Sequence, residues 1–465
     1  MVVTFRRVPV LLGAALLGSA LAASAVAAET PRLSLRDVVQ RAIAESHLVK
    51  AGGFEVAKAG EGVRKAQALR ILPEVTLDLA GGVVPAAHGT VVSSTDSSGD
   101  LDSLGPFYRL ELKLVQPLWT FGRLDATEAL AREGLATQRA RKALTGENVA
   151  FDATRAYWAL AAAAAGEAIS RNMRKDFDQL QREVEKRVAD ESSGVNDSDL
   201  FEVRANNYSI DRLYLDALEL RRTAADALRT VMNLPGEDEP ELVHEPSPIV
   251  EVDEDRSAAV VARAVEAHPE VRAMTAASRV PAAKVELQRR SRNPVFFIAG
   301  GVGVAHAGNR DEQDNPWVND DFNYARIGAE IGLKWDANLY RKNLDVSEAA
   351  AEYAAILEQL EVLRSRVGVE VRRALREVRR TRALLDSART SLKAAKSRLR
   401  LVLDNWETGV GEVHQVIDAY EKYYRLRVEE PQREYDLNVA LARLGFVLGD
   451  VNLYLGWVHD GKVSL

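Results

Sequence analysis

A heptad repeat of apolar residues is the feature that most restricts how this chain can fold. Between Ile356 and Val402, larger residues recur every seven positions and smaller ones recur every seven positions between them. The two sets are Val371, Val378, Leu385, Leu392 and Leu399, and Ala374, Thr381, Ala388, Ala395 and Val402. Alternating steps of three and four residues are typical of a coiled-coil seam. The arginines around the seam predict that the other helix faces lie in water.

Other long segments have the same helical character. No proline interrupts residues 121–189, and a second helix is expected to return from Asp199 to Val231. A chain of 465 residues normally holds two to four domains, but here only 6% of the residues are aromatic. Extended helices are therefore favoured over compact α/β lobes.

The N-terminus has the pattern of a secretory signal peptide over residues 1–28. Arg6 and Arg7 precede an apolar run, and Ala25-Val26-Ala27 forms a small-residue cleavage site. The chain has no cysteine, which excludes disulfides and a lipid-modified cysteine anchor. Removal of this segment takes two positive charges away and changes the formal charge from −7 to −9. An acidic exported chain is a poor candidate for binding nucleic acid.

Four segments have the two-residue alternation of β-strands, near residues 74–80, 108–114, 295–305 and 325–335. In the second and fourth, one face is apolar and the other carries Arg109, Glu111, Lys113, Arg326, Glu330 and Lys334. Two interpretations fit, namely a soluble sheet covered by helices or membrane strands whose charged face lines a wet lumen. Four strands cannot close a barrel, which needs at least about eight, so membrane insertion would require an oligomer.

The second half of the chain repeats the first. Residues 261–265 resemble residues 39–43 at an offset of 222, and Asp345 and Glu348 correspond to Asp125 and Glu128 at an offset of 220. This spacing predicts an internal duplication. We therefore expect a first repeat over residues 29–235, a linker over 236–256, a second repeat over 257–449 and a C-terminal tail over 450–465.

Three short motifs, in this duplicated order, resemble those of the TolC-like outer membrane efflux proteins. They are Gln116-Pro117-Leu118-Trp119 with Gly122-Arg123, Asp199-Leu200-Phe201 with Arg204-Ala205, and Gly409 with Val416-Ile417-Asp418-Ala419. The resemblance covers nearly the whole chain after the signal peptide. It implies a mainly α fold with a small β part. Long antiparallel coiled-coil helices would form a periplasmic tunnel, and four strands from each chain would build a 12-stranded transmembrane barrel in a homotrimer.

The same resemblance implies a function and a location. Such proteins are exit ducts in the outer membrane of Gram-negative bacteria, with a large periplasmic part. They serve tripartite efflux pumps or type I secretion, together with a periplasmic adaptor and an inner-membrane transporter. They export small molecules or polypeptides passively, so no catalysis and no cofactor is expected.

The resemblance also points to a pore constriction near the second helix turn, where family members carry rings of carboxylates. Matched from Gly409, one acidic position falls on Gln415 and the other on Asp418. One ring is therefore neutral in this chain. Three Asp418 carboxylates around a narrow pore would favour cations. A solvated helix aspartate is the alternative interpretation of Asp418.

Family members also tether neighbouring helices at the turns. In this chain the aromatic position is Trp406, the first-turn acid is Asp199 and the basic partner position is Gly411. Since glycine carries no charge, the salt bridge of the family pattern is not expected here.

The rest of the sequence offers little chemistry. The seven histidines have no pair at a metal-ligand spacing such as i, i+4, so no metal site is expected. The sequence has no recognisable nucleophile or carboxylate constellation that would support a secreted hydrolase. The main alternative is a periplasmic coiled-coil structural or adaptor protein without a pore. Duplicated strands with two different faces favour the duct.

Overall fold

The computed structural model describes residues 32–88, 103–190, 194–236, 238–251, 257–312 and 320–464. The predicted signal peptide, residues 1–28, lies outside this part of the chain. The first half contains α1 (Leu35–Glu45), α2 (His47–Ile71), β1 (Glu74–Pro85), β2 (Leu104–Trp119), α3 (Arg123–Ala189), α4 (Asp197–Met232) and β3 (Ile249–Glu251). The second half contains α5 (Ser257–Ala267), α6 (Pro269–Arg290), β4 (Val295–Ala307), β5 (Tyr324–Lys334), α7 (Leu339–Glu407), α8 (Val413–Val447), α9 (Asn452–Asp460) and β6 (Lys462–Ser464).

Both halves have the same order of elements, which is two helices, two long strands, a very long helix and a shorter returning helix. Helices α3 and α7 have 67 and 69 residues, so each extends about 100 Å at 1.5 Å per residue. The returning helices α4 and α8 have 36 and 35 residues. The mainly α fold class and the duplication predicted from the sequence are confirmed.

Some elements differ from the expected boundaries. The sequence pattern over residues 33–72 is typical of one helix, but the structure divides it at Ser46, whose side chain accepts a hydrogen bond from the backbone N–H of Val49 and caps α2. The expected linker, residues 236–256, contains strand β3. This strand pairs in parallel with β6 from the expected C-terminal tail. The two segments are far apart in sequence, so no local pattern signals their pairing.

Most of the heptad seam of α7 is buried, while Leu392 and Val402 are half-buried. Val371, Val378 and Leu385 are at most 3% exposed, and α7 packs along α8 and α6. We call α3 with α4 the first hairpin and α7 with α8 the second hairpin. Near the sheet-facing half of the hairpins, the seam joins a large core that includes Tyr157 and Leu441.

An ion cluster around the buried Glu167 connects the two helices of the first hairpin. The carboxylate of Glu167 accepts hydrogen bonds from Arg171 at 2.5 and 2.6 Å and from Arg221 of α4 at 3.0 Å. Burial of Glu167 raises its pKa, but the two guanidiniums outweigh this effect and hold the pKa below its usual range. The charged form of Glu167 is therefore the one that stabilises this contact.

Within the described residues, the four long strands form one antiparallel sheet in the order β1-β2-β4-β5. Strand β2 pairs with β4, so the two halves of the chain meet at the centre of the sheet. Strands β1 and β5 each have a single strand neighbour and leave the two outer edges open. No helix in the described part of the chain has the length and apolar character needed to cross a membrane.

Candidate functional site

The predicted site residues fall in two places, the four-stranded sheet and the far end of the hairpins. In the sheet, the register aligns Asp78, Glu111, Gly303 and Arg326 in one row across all four strands. Since side chains alternate between the two faces of a strand, these residues share one face. The predicted lumen residues Arg109, Glu111, Lys113, Arg326, Glu330 and Lys334 all lie on this polar face.

Three of the six residues are in direct contact. The Glu111 carboxylate accepts hydrogen bonds from the Tyr324 hydroxyl at 2.6 Å and from Arg326 Nη2 at 2.9 Å. Lys113 Nζ lies 2.9 Å from the same carboxylate and 3.8 Å from that of Asp78. The polar face therefore carries a network of mixed charge, and sequence reasoning missed its Tyr324 and Asp78 members.

The opposite face of the sheet is apolar and uncovered in the single chain. Leu79, Ile327 and Ile331 are 76%, 84% and 76% exposed. Leu77, Leu110, Leu114, Ile298, Val302, Val304 and Leu333 are also exposed on this face. A continuous apolar surface of this kind marks an interaction with another protein or with a membrane.

The second site is the tip, which we define as the two turns that connect α3 to α4 and α7 to α8. In the second turn, the carbonyl of Asn405 accepts hydrogen bonds from the N–H groups of Val410 and Gly411, both at 3.1 Å. Gly409 has a φ of 80°, which favours glycine. A Cβ atom on Gly411 would lie 2.9 Å from the backbone nitrogen of Trp406. The turn is therefore packed too closely for a basic side chain at Gly411 without movement of the backbone.

The predicted first-turn acid, Asp199, forms part of a helix cap. Its carboxylate accepts a hydrogen bond from the N–H of Asn196 at 2.9 Å, and the Asn196 side chain accepts from the N–H groups of Ser198 and Asp199. This capping box starts α4 and satisfies N–H groups that have no partner within the helix. The contacts of Asp199 that the structure shows thus stay within its own turn.

Trp406 is 4% exposed and packs in a second core at the tip, which we call the tip core. The guanidinium of Arg187, from the last turn of α3, lies 4.0 Å from the centre of the Trp406 ring. Arg187 Nη1 also donates a hydrogen bond to the Trp406 carbonyl at 3.0 Å. Sequence reasoning missed Arg187, whose only signal was a basic residue at the end of a helix. The structure thus joins Trp406 to the first hairpin within one chain.

Asp418 and Gln415 lie on the exposed side of α8. Arg398 Nη2 of α7 lies 3.3 Å from the Asp418 carboxylate. Gln415 Nε2 donates to the carboxylate of Glu412 at 3.4 Å, and His414 Nδ1 lies 3.3 Å from the same carboxylate. Glu412, which immediately follows Gly411, is therefore a further acidic group at the tip, and sequence reasoning missed it.

A further contact joins the hairpins above the tip. The hydroxyl of Tyr424 donates a hydrogen bond to the Asp176 carboxylate, and Tyr420 packs on Phe177 with 5.5 Å between the ring centres. Burial raises the pKa of Tyr420 to about 12. These tyrosines therefore stay neutral and act in packing and hydrogen bonding.

Residues 260–450 match the family model described as outer membrane efflux protein. None of the curated protein sequences matches the chain. Several solved structures have the same fold. CusC has a TM-score of 0.71 at 15% identity, with 90% of this chain and 92% of that chain covered.

Two further structures, both of outer membrane channels, are similar. CmeC of Campylobacter jejuni has a TM-score of 0.68 at 14% identity and covers 92% of this chain and 90% of its own. MtrE of Neisseria gonorrhoeae, in its open state, has a TM-score of 0.68 at 17% identity, with 90% of this chain and 89% of that chain covered. At such identities the likeness establishes the fold.

The family is described by its place in the outer membrane and by efflux. This description agrees with the localisation and the class of protein predicted from the sequence. Residues 260–450 carry the outer membrane efflux protein signature, and the predicted resemblance of the chain to the TolC-like efflux proteins is confirmed.

Proposed function

We propose that three copies of this chain form an outer-membrane exit duct. In this assembly the three sheets close into a 12-stranded barrel, and the helical hairpins form a tunnel in the periplasm. The duct passes its cargo without catalysis.

One observation carries this proposal, namely the sheet with an apolar face, a charged face and two open edges. In lipid, unpaired strand edges are not tolerated, so β5 of one copy must pair with β1 of the next. The exposed leucine, isoleucine and valine side chains then face lipid, and the network around Glu111 faces water. The length of β5, 11 residues, agrees with that of a tilted membrane strand, about 9–11 residues.

The alternative is a periplasmic coiled-coil structural or adaptor protein without a pore. In such a protein the apolar face of the sheet would lie in water. Strands with one apolar and one charged face would then have no role. Cell fractionation distinguishes the two. We expect recovery with the outer membrane and release only by detergent, and chemical cross-linking should give a trimer. Recovery in the periplasm without detergent would refute the duct.

We propose that the tip is the narrow end of the duct. The residues near this constriction would be Asp418, Gln415, Trp406, Gly411 and Asp199. Glu412 and Asp418 give it negative charge, so the pore should prefer cations. Arg398 partly offsets Asp418 because its guanidinium is 3.3 Å away. In planar bilayers we expect Asp418→Asn to lower cation selectivity moderately, with Asp436→Asn, farther along α8, as the control. Unchanged selectivity in Asp418→Asn would remove Asp418 from the constriction.

As partners of the duct, we propose a periplasmic adaptor and an inner-membrane transporter of an efflux pump or a type I secretion system. The family description, efflux, supports the first of these systems. Neighbouring genes for an adaptor and a transporter would support the assembly. Loss of export of one compound or polypeptide on deletion of the gene would identify the cargo.

A further inference from the structure

The two hairpins of one chain meet at their tips through a contact that joins the ends of two long helices. Helices α3 and α7 each begin after a strand of the same sheet and end at the tip, so they run in parallel. Their C-terminal ends both carry partial negative charge from unpaired carbonyl groups. Two such ends side by side repel each other unless a cation lies between them.

Arg187 is in the position to supply this cation. It belongs to the last turn of α3, and its Nη1 donates to the carbonyl of Trp406 in the last turn of α7. That carbonyl also accepts the N–H of Gly409 at 3.1 Å, so both of its lone pairs are used. Arg187 therefore acts as a C-terminal cap for a helix of the other hairpin.

The rest of the Arg187 side chain is held equally closely. Its guanidinium lies over the Trp406 ring at 4.0 Å, a favourable cation–π distance. Its Nε lies 3.0 Å from the carboxylate of Glu183, one turn earlier in α3. Since the side chain of Arg187 is only 20% exposed, water weakens these contacts less than it would at an open surface.

We infer that Arg187 and Trp406 form the clasp that keeps the hairpin tips of one chain closed, in place of a salt bridge to the second turn. The second turn cannot provide such a bridge because Gly411 has no room for a side chain. Asp199 is engaged in its own helix cap. Arg187 is thus a positioning residue for the narrow end, and its role as a gate rests on the proposed duct.

Separation of the tips can be measured without any transport. The chain has no cysteine, so single cysteines at Asp197 and Val410 can carry spin labels without background. Both residues are exposed, and Val410 is 80% exposed. We expect Arg187→Gln to broaden the distance distribution between the labels and to shift it to longer distances in the detergent-solubilised, purified protein.

The controls separate the clasp from a general effect of charge or folding. Lys186→Gln removes the same charge from the neighbouring exposed position and should leave the distances unchanged. Arg187→Lys keeps the charge but loses the planar donor geometry, so it should give an intermediate shift. In a double-mutant cycle, the effects of Arg187→Gln and Trp406→Leu should be less than additive, because both remove the contact of the guanidinium with the Trp406 ring, whereas only Arg187→Gln removes the hydrogen bond to the Trp406 carbonyl.

Conductance in planar bilayers gives the second measurement. We expect Arg187→Gln to make the open state about tenfold more populated, equivalent to about 1.4 kcal/mol. A wild-type distance distribution in Arg187→Gln, or an equal shift in Lys186→Gln, would overturn the clasp. If no variant conducts but the label distances change as expected, the clasp stands and the proposed duct fails.

Discussion

The apolar face of the sheet gives the sharpest test of membrane insertion. In Ile327→Arg, a charge replaces an isoleucine that is 84% exposed in the single chain. Ile327 lies two residues from Ala329, the middle of the 11-residue strand β5. At a strand tilt of about 40°, this places it about 5 Å from the middle of the strand along the membrane normal.

Arginine at this depth on a lipid-facing strand costs about 2–4 kcal/mol. Because each chain carries the change, the cost to a three-chain barrel is about 6–12 kcal/mol. If water covered this face instead, the same change would alter stability by about 0.5 kcal/mol or less. The predicted loss of stability is therefore several-fold larger if lipid covers this face than if water covers it.

The free energy of unfolding from lipid vesicles measures this effect, with urea as denaturant and tryptophan fluorescence as signal. Gly328→Arg is the matched control, since it places arginine next in the strand on the polar face, where a Cβ has open space. We expect the control to unfold near the wild-type urea concentration. Equal effects of the two arginines would refute the assignment of the faces.

Three further changes test the helical part, each by urea unfolding. Glu167→Gln should cost about 2 kcal/mol at pH 7, because it weakens the charged hydrogen bonds to two arginines. Since the folded pKa of Glu167 is lowered, this difference should be present above about pH 4.3 and fade as the pH falls through the folded pKa. Leu385→Ala should cost about 2–5 kcal/mol, whereas the neighbouring Leu384→Ala, 37% exposed, should cost less than about 1 kcal/mol. Gly411→Arg should destabilise the second turn by about 1–3 kcal/mol through its contact with Trp406, and a wild-type transition would contradict the close packing.

The features that the sequence predicted well are those with a local period. The seam of α7 repeats every seven residues, and the strands alternate every two, so both could be recognised without knowledge of their partners. Burial of Val371 and Leu385 and the polar row through Glu111 follow from these periods. A period shows which face is apolar, but it does not show what covers that face.

Contacts between distant parts of the chain could not be predicted in this way. Arg187 and Trp406 are 219 residues apart, and although the family resemblance marked Trp406 as an aromatic tip position, no motif marked Arg187 as its partner. Asn196 followed three residues later by Asp199 is a helix-capping pattern that could have predicted the role of Asp199. The family pattern predicted a salt-bridge position instead. The pairing of β3 with β6 likewise depends on the packed core and not on a local signal.

The central pairing of β2 with β4 has a consequence for how this architecture arose. It joins the two halves of one chain by the same kind of antiparallel contact that β5 and β1 would make between chains in the proposed trimer. The assembly would then have approximate sixfold symmetry, with each repeat as the unit. A half-length ancestor could have built the same duct from six copies. Fusion of two repeats would have halved the number of subunits that must meet and allowed the two tips to diverge in sequence.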